Sequence, residues 1–262
     1  HRLRQDLCCP SGRARSGDGT RTPCVHHRQS GVDGLGLAVV LSLAAGWVDA
    51  HIYLHVFEVF VANMSGNLIG LGMFLGLRNW SEAWPSAVAC VAFVAGVALG
   101  THLNRRELRD AGPGRTSVLL AVEAAVLAVL AAALLAVDDP PTRDRWPAVL
   151  ALICLGAVPM GLQAAALGHV GAVTVTTTYG TASLVRIGQR LVRPAEGATA
   201  ARGQRSRVVV VLVALLCGYV GGAALSALAG GEAWLMVIPA ALLAGASWWS
   251  ARTATAEAER PG

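Results

Sequence analysis

Apolar residues along this chain form long runs that are separated by short polar links. A helix rises about 1.5 Å per residue, so roughly twenty apolar residues cross the ~30 Å hydrocarbon core of a bilayer. The pattern therefore predicts an all-α fold, a polytopic membrane helix bundle. The apolar segments are 34–54, 57–77, 86–103, 117–137, 146–167, 172–191, 208–229 and 233–250.

Two of these segments are interrupted by polar residues. Segment 57–77 contains the run "NMSGN", and segment 172–191 contains "TVTTTYGT". Irregular backbone at membrane depth is tolerated only inside protein or beside a water-filled cavity. We therefore predict six spanning helices plus two polar, broken or re-entrant segments. The alternative is that all the apolar segments span, which gives eight spans.

The two interrupted segments occupy equivalent places in a predicted two-fold internal repeat. A shift of 114 residues places Asp49 on Gln163 and Gly66 on Gly180. After a slightly longer loop, the GxxxG pair that starts at Gly96 matches the GxxxG pair that starts at residue 218. The sequence thus predicts two related halves.

The arginines favour an inverted repeat over a parallel one. Link 104–116 carries four arginines, whereas its counterpart 230–232 carries none. Link 78–85 carries one arginine, whereas its counterpart 186–207 carries six. Basic loops stay in the cytoplasm, so equivalent loops of opposite charge are expected when the two halves face opposite sides. We predict an inverted repeat with both termini cytoplasmic; eight spans would give a parallel repeat.

Composition supports the membrane class. The chain is 54% hydrophobic and 14% charged, with a net charge of +5, whereas soluble domains carry roughly 25% charged residues. The basic residues are spread among short loops, so we predict the lipid bilayer as a partner and no nucleic acid. The predicted regions are a disordered basic tail at 1–33, an integral membrane domain at 34–250 with halves 34–137 and 146–250, and a polar C-terminal tail at 251–262.

The polar residues of the two interrupted segments form the candidate site. In membrane transporters, broken segments meet near the midplane, where freed backbone groups coordinate an ion or a small polar solute. The alternative is that these side chains only form hydrogen bonds between packed helices. The candidate substrate-binding residues are Asp49, Asn63, Ser65, Gly66, Asn67, Gln163, Thr177, Thr178, Tyr179, Gly180 and Thr181.

Two carboxyl groups lie inside predicted spans. An ionised carboxylate at the bilayer centre costs at least about 2.5–3.5 kcal/mol. Asp49 would therefore be a proton or cation site, or else an interfacial residue near the aqueous edge of its helix. We expect Glu123, near the start of segment 117–137, to reach the interface rather than line a cavity.

The runs "AGWVDAHIYL" and "FVANMSGNLIGLG", with the later "GLQAAALGHVGAVTVTTTYGTASLVRIGQRL", resemble the YoaK-like family. This is a group of bacterial integral membrane proteins with a domain of unknown function, number 1275. The resemblance covers about 34–250 and implies about six membrane helices. The family pattern has Asn after the Gln of "GLQ", where this chain has Ala. No substrate or activity is implied by the resemblance.

We therefore expect a transporter or channel of the bacterial inner membrane for a small solute or ion, with proton coupling through Asp49. The alternative is a non-transporting scaffold or accessory subunit that docks through the GxxxG faces at 96–100 and 218–222, faces that could also join copies in a homo-oligomer. No nucleophile motif, phosphate-binding loop or metal-ligand spacing is present in the sequence. We predict no enzyme activity, no cofactor and no metal.

Overall fold

The computed structural model of the protein describes residues 31–107, 115–136, 146–166, 184–185, 187–189 and 199–258. The regular structure of these residues is helical, which confirms the all-α prediction. The principal helices are α1 Gly31–His55, α2 Met64–Gly76, α3 Trp80–Glu107, α4 Arg115–Leu135, α5 Trp146–Ala166, α6 Thr199–Ala229, a 3₁₀ turn Ala233–Met236, and α7 Val237–Ala258.

Six of the described helices are long and apolar enough to cross a membrane, namely α1, α3, α4, α5, α6 and α7. The prediction of six spans is confirmed. Helix α2 has 13 residues, a length of about 20 Å, which is too short to cross the hydrocarbon core. The second interrupted segment, 172–191, lies outside the described residues apart from 184–185 and 187–189.

Helices α1 and α5 run in opposite directions. The side-chain nitrogen of Gln163 donates to the carbonyl of Leu41 at 3.1 Å. Further along α1, Asp49 binds the backbone of Val61, and Val61 packs against Gly156. Advancing from 41 to 49 in α1 therefore corresponds to moving back from 163 to 156 in α5. Eight spans would make these two helices parallel, so the contacts agree with six spans and not with the eight-span alternative.

Helices α1 and α6 run parallel in close contact. A methyl group on Gly222 would overlap the carbonyl of Leu43, and one on Gly218 would lie 3.1 Å from the carbonyl of Val39. Both positions advance together, by four residues in each helix. Small residues of this kind let two helix backbones approach closely in a membrane.

Helices α3 and α5 pack in the same manner. A methyl group on Gly96 would overlap the carbonyl of Val158, and one on Gly100 would lie 2.8 Å from the Cβ of Ala165 and 3.4 Å from Leu162. Both GxxxG faces are thus covered by helices of the same chain. The predicted homo-oligomer stays a prediction, and it would need another surface.

Helix pairing has the form that an inverted repeat requires. In such a repeat α5, α6 and α7 correspond to α1, α3 and α4, so a contact between α1 and α6 has a counterpart between α3 and α5. Both contacts are extensive. Because α1 is antiparallel to α5 and α5 is parallel to α3, α1 and α3 are antiparallel as well. The repeat itself stays a prediction.

Helix α2 lies on α3, at the outside of the bundle. Its apolar residues Leu68, Ile69 and Met73 are more than half exposed, as suits side chains that face lipid. Exposed tryptophans mark the helix ends, where their amphipathic rings favour the membrane interface. They are Trp80, Trp84 and Trp234 near one end of the bundle and Trp248 and Trp249 near the other.

The predicted polar C-terminal tail contains the end of the last helix. Helix α7 continues through most of 251–262, and the hydroxyl of Thr255 donates to the carbonyl of Arg252 at 2.9 Å. A hydroxyl bond of this kind lets a polar residue continue a helix. The predicted N-terminal tail lies outside the described residues except for 31–33, with which α1 begins.

Candidate functional site

The chain re-enters the bundle between α1 and α2. Helix α1 ends at His55, and residues 56–63 are not helical. The amide of Phe57 still donates to the carbonyl of Ile52 at 2.9 Å, which closes the last turn. The chain then returns to the level of Asp49, six residues before the helix end. Six residues correspond to about 9 Å along the axis. The predicted re-entrant segment is therefore present in this half.

Asp49 holds the inner end of this link. Its Oδ1 accepts the backbone amides of Val61 at 2.5 Å and Ala62 at 2.8 Å. Its Oδ2 accepts the hydroxyl of Tyr219 from α6. Amides of irregular backbone have no intrahelical acceptor, and a buried unpaired amide costs about 1–3 kcal/mol. The carboxylate thus stabilises the break in the backbone.

Asp49 is 2% exposed. The carboxyl group is therefore enclosed by protein, and both interpretations of its depth, a proton or cation site and an interfacial residue, stay predictions. Three donors contact its two oxygens, and hydrogen bonds to a charged acceptor are stronger than neutral ones. These contacts compensate part of the desolvation that burial of a carboxylate requires.

Asn67 completes the backbone bonding from α2. Its side-chain oxygen accepts the amide of Phe60 at 3.0 Å, and its side-chain nitrogen donates to the carbonyl of the same residue at 2.5 Å. This two-way pairing satisfies both backbone groups of a residue that has no place in a helix. Asn67 is 2% exposed. Its buried side-chain amide therefore provides Phe60 with the hydrogen bonds that a neighbouring strand or helix turn would otherwise provide.

Gly66 gives the re-entrant link room to pack. A methyl group at Gly66 would lie 2.9 Å from the ring of Phe60, and that ring stacks on Tyr53 with centroids 4.4 Å apart. Asn63 is half-buried and accepts the hydroxyl of Ser65 at 2.8 Å. Ser65 is exposed. The polar run thus contains one buried amide, one glycine under an aromatic ring, and two residues nearer the surface.

The structure brings the first-half candidates together and places Gln163 apart from them. Gln163 is fully buried and contacts Leu41, eight residues before Asp49. This separation is about 12 Å along α1. The remaining candidates lie outside the described residues: Thr177, Thr178, Tyr179, Gly180 and Thr181.

Two residues of the interior were not recognised from the sequence. Tyr219 donates to Asp49 across 170 positions of the chain; the only signal for it was a phenol beside a GxxxG pair in an apolar run. Glu123 was expected at the interface, but it is fully buried. That expectation is wrong. A membrane segment is apolar on its lipid side and on its core side, so hydrophobic periodicity does not reveal which side Glu123 occupies.

Several buried polar atoms have no hydrogen-bond partner among the residues that the structure describes. Such atoms are uncommon in folded proteins, because each carries a desolvation cost. Five of them belong to α1 and α6; among these, Ser42 lies against Gly218 of α6 and His55 against Gly231 of the link to α7. They are Ser42 Oγ, Trp47 Nε1, His51 Nδ1, His55 Nε2 and Ser226 Oγ.

These features define a polytopic helical membrane protein with six spans among its described helices, in which a buried carboxylate and a buried amide hold a re-entrant segment after the first span. The chain belongs to the family described as "Protein of unknown function (DUF1275)", whose model matches residues 37–249. This confirms the resemblance seen in the sequence.

A curated relative is the "UPF0700 transmembrane protein YoaK" of Bacillus subtilis (strain 168). It is 30% identical to this chain over 151 residues, which make up 58% of this chain and 64% of that protein. The chain thus spans less than two thirds of the length of this relative. No solved structure matches the chain significantly.

Proposed function

We propose that this protein moves a small polar solute or ion across the bacterial inner membrane, along a path beside α1 and its re-entrant link. Transporters commonly bind their substrate where a helix is broken at membrane depth. The link at 56–63 is such a break, and Asp49 and Asn67 keep it in place. The antiparallel directions of α1 and α5 add support, because inverted halves are common in transporters.

The observation that carries the proposal is the group of unpartnered polar atoms that the tightly packed helices α1 and α6 carry. Residues spaced by four share a helix face, so Ser226 continues the face on which Gly222 contacts α1. A methyl group on Gly222 would lie 3.0 Å from the backbone of Trp47. Since the helices are parallel, Ser226 lies one turn further along, near the level of His51.

These atoms have the properties of a polar lining. Trp47 is 6% exposed, His51 1% and Ser226 0%, and the indole, imidazole and hydroxyl groups have no partner among the described residues. Leaving a buried polar group unpaired costs about 1–3 kcal/mol. Water or a polar solute that enters between α1 and α6 would remove that cost. The lining runs from near the middle of span Leu35–His55, at Trp47, toward the end of that span.

The arginine distribution supports cytoplasmic termini. With six spans, α1 begins and α7 ends on the same side of the membrane. Link 104–116 opens on that side as well, and it carries four arginines. Basic links remain in the cytoplasm. The path would therefore lead from the side on which Trp80 and Trp234 lie toward the cytoplasm.

The scaffold alternative receives no such support. It assumed that the GxxxG faces at 96–100 and 218–222 are free to dock a partner. Both faces pack against helices of the same chain. The absence of enzyme activity stays a prediction.

A pair of serine-to-cysteine substitutions tests the path. In a variant without the native cysteines, Ser226→Cys should react with a small, positively charged methanethiosulfonate reagent, because water reaches the polar lining. Ser86→Cys is the matched control, since Ser86 is also buried, at 3% exposure, but packs between α3 and α2. It should remain unmodified. Modification is measured by intact-protein mass spectrometry in membranes.

Candidate small solutes are then screened for protection of the introduced thiol in the Ser226→Cys variant. A solute that slows the modification, with no effect on an exposed site such as Glu232→Cys, identifies the substrate class. If Ser226→Cys and Ser86→Cys were equally inert, the space between α1 and α6 would be dry packing, and the proposed path would be excluded.

A further inference from the structure

Glu123 lies in the apolar interior of the membrane domain. It is in the span Ser117–Leu135 of α4, about one helix turn from the middle of that span. The side chain is 0% exposed. Residues three and four positions away share its helix face, and there Leu120 and Leu127 are buried core residues. The carboxyl group is therefore enclosed by apolar core residues and is not exposed at the surface of the bundle.

Neither carboxyl oxygen of Glu123 has a hydrogen-bond partner in the described part of the chain. Asp49 differs in this respect, because Val61, Ala62 and Tyr219 all donate to it. The penalty for burying an ion is several kilocalories per mole even after relaxation. Asp49 recovers part of that penalty through its three donors, whereas Glu123 recovers none of it from described residues.

The helices packed against α4 bring few charges near Glu123. The titratable side chains that the structure describes in these elements are Glu82, Cys90 and His102 in α3, Cys154 in α5, and Arg252 in α7. The basic residues His102 and Arg252 are exposed. The hydrogen bond between Ser247 and Ser117 places the N-terminal end of α4 opposite this part of α7. The guanidinium of Arg252 stacks on Trp248, beyond that end of α4.

We propose that Glu123 is a proton-binding site of the membrane interior, whose carboxyl group carries a proton at neutral pH. No described cation compensates a negative charge there, and a neutral carboxyl avoids the cost of burying an ion. The proposal does not depend on the proposed transport path, because the occupancy of the site is measurable without flux. It assigns the bound proton to Glu123, which lacks the three hydrogen-bond donors that Asp49 has.

An apolar carbodiimide tests the protonation of Glu123. Dicyclohexylcarbodiimide enters bilayers and reacts with protonated carboxyl groups. The carboxyl proton moves to one carbodiimide nitrogen while the carboxyl oxygen bonds to the central carbon, and the acyl group then shifts to nitrogen as a stable N-acylurea. Isolated membranes that contain the full chain are treated at neutral pH, and the modified residue is located by peptide mass spectrometry.

We expect modification of Glu123 at least about tenfold above that of Asp49, because the uncompensated burial of an ion costs several kilocalories per mole. Glu123→Gln removes the signal. The exposed Glu232 is the control for access, since a water-soluble carbodiimide should modify Glu232 and spare Glu123.

Two results would overturn the proposal. One is modification of Glu123 no greater than that of Asp49 in the unsubstituted protein. The other is modification that sodium or lithium ions suppress at constant pH, which would assign the site to a metal cation. Both measurements use the unsubstituted protein, so a folding defect in Glu123→Gln leaves the test intact.

Discussion

Asp49 shows how one side chain makes broken backbone possible at membrane depth. Lipid offers no hydrogen bonds, so every irregular amide needs a partner within the protein. Asp49 supplies an acceptor for Val61 and Ala62, and Asn67 supplies both an acceptor and a donor for Phe60. The polar residues in the middle of the apolar run are therefore the hydrogen-bond partners of the chain that surrounds them.

Substitution of Asp49 should distinguish the loss of its oxygens from the loss of its charge. Asp49→Ala leaves two buried amides unpaired, at about 1–3 kcal/mol each. We expect it to lower the thermal stability of the detergent-solubilised protein, measured by size-exclusion chromatography after heating. Asp49→Asn retains an acceptor oxygen and should have a smaller effect. Equal losses in the two variants would mean that the amide bonds contribute little.

The asparagine variant also addresses the predicted proton coupling through Asp49. Once a transported solute is known, its flux into proteoliposomes is measured with and without a pH gradient. If Asp49 carries the coupled proton, Asp49→Asn abolishes the response to the gradient. Preserved coupling in a folded Asp49→Asn protein would remove Asp49 from that role.

The sequence alone was sufficient to find these residues, but their contacts could not be derived from it. Asp49 and Asn67 were conspicuous because polar groups are costly in an apolar segment. The amides of Val61 and Ala62 carry no sequence signal, since every residue other than proline has a backbone amide. Tyr219 meets Asp49 only through the packing of α1 on α6, a long-range contact that a single sequence does not encode visibly.

At the scale of helices, glycine determines which faces meet. The pairs α1–α6 and α3–α5 both place a glycine against a carbonyl of the partner helix, as at Gly222 and Gly96. The sequence predicted that these GxxxG faces pack, but it did not show whether the partner would be the same chain or another molecule. Lipid and protein core are both apolar, so the choice depends on the three-dimensional arrangement of the helices.

Adjacent glycines in α6 provide a matched test of this packing. Gly222→Ala would force a methyl group into the carbonyl of Leu43, whereas a methyl group at Gly221 meets nothing within 4 Å. Overpacking typically costs about 1–3 kcal/mol. We expect Gly222→Ala to lower the midpoint of thermal unfolding while Gly221→Ala leaves it unchanged or raises it slightly. Similar midpoints for the two variants would contradict the close α1–α6 contact.

At the scale of the whole molecule, six spans and the antiparallel directions of α1 and α5 agree with an inverted arrangement. Length and hydropathy were enough to predict the spans, because bilayer thickness fixes the length of a spanning helix. The number of spans stayed ambiguous only because of the interrupted segments. Their apolar length favours spanning helices, whereas their polar residues favour re-entrant segments. Val61 and Ala62, bound at the level of Asp49, show that the first of these segments turns back.

Membrane topology offers a test of this arrangement that does not depend on orientation. Asn79 and Glu232 are exposed residues in links. Six spans put them on the same side of the membrane, and eight spans put them on opposite sides. Thr255, exposed near the end of α7, lies across from Glu232 in both arrangements and serves as the opposite-side control.

Single cysteines at these three positions, in a background without native cysteines, are treated in whole cells with a membrane-impermeant maleimide. We expect Asn79→Cys and Glu232→Cys to be modified together, because the chain between α1 and α3 enters the membrane and leaves on the side it came from. With the proposed cytoplasmic termini, Thr255→Cys is modified only after permeabilisation. If Asn79→Cys instead followed Thr255→Cys, the segment around Asn67 would have to cross the bilayer, and the anchoring of Val61 and Ala62 by Asp49 would no longer describe a re-entrant link.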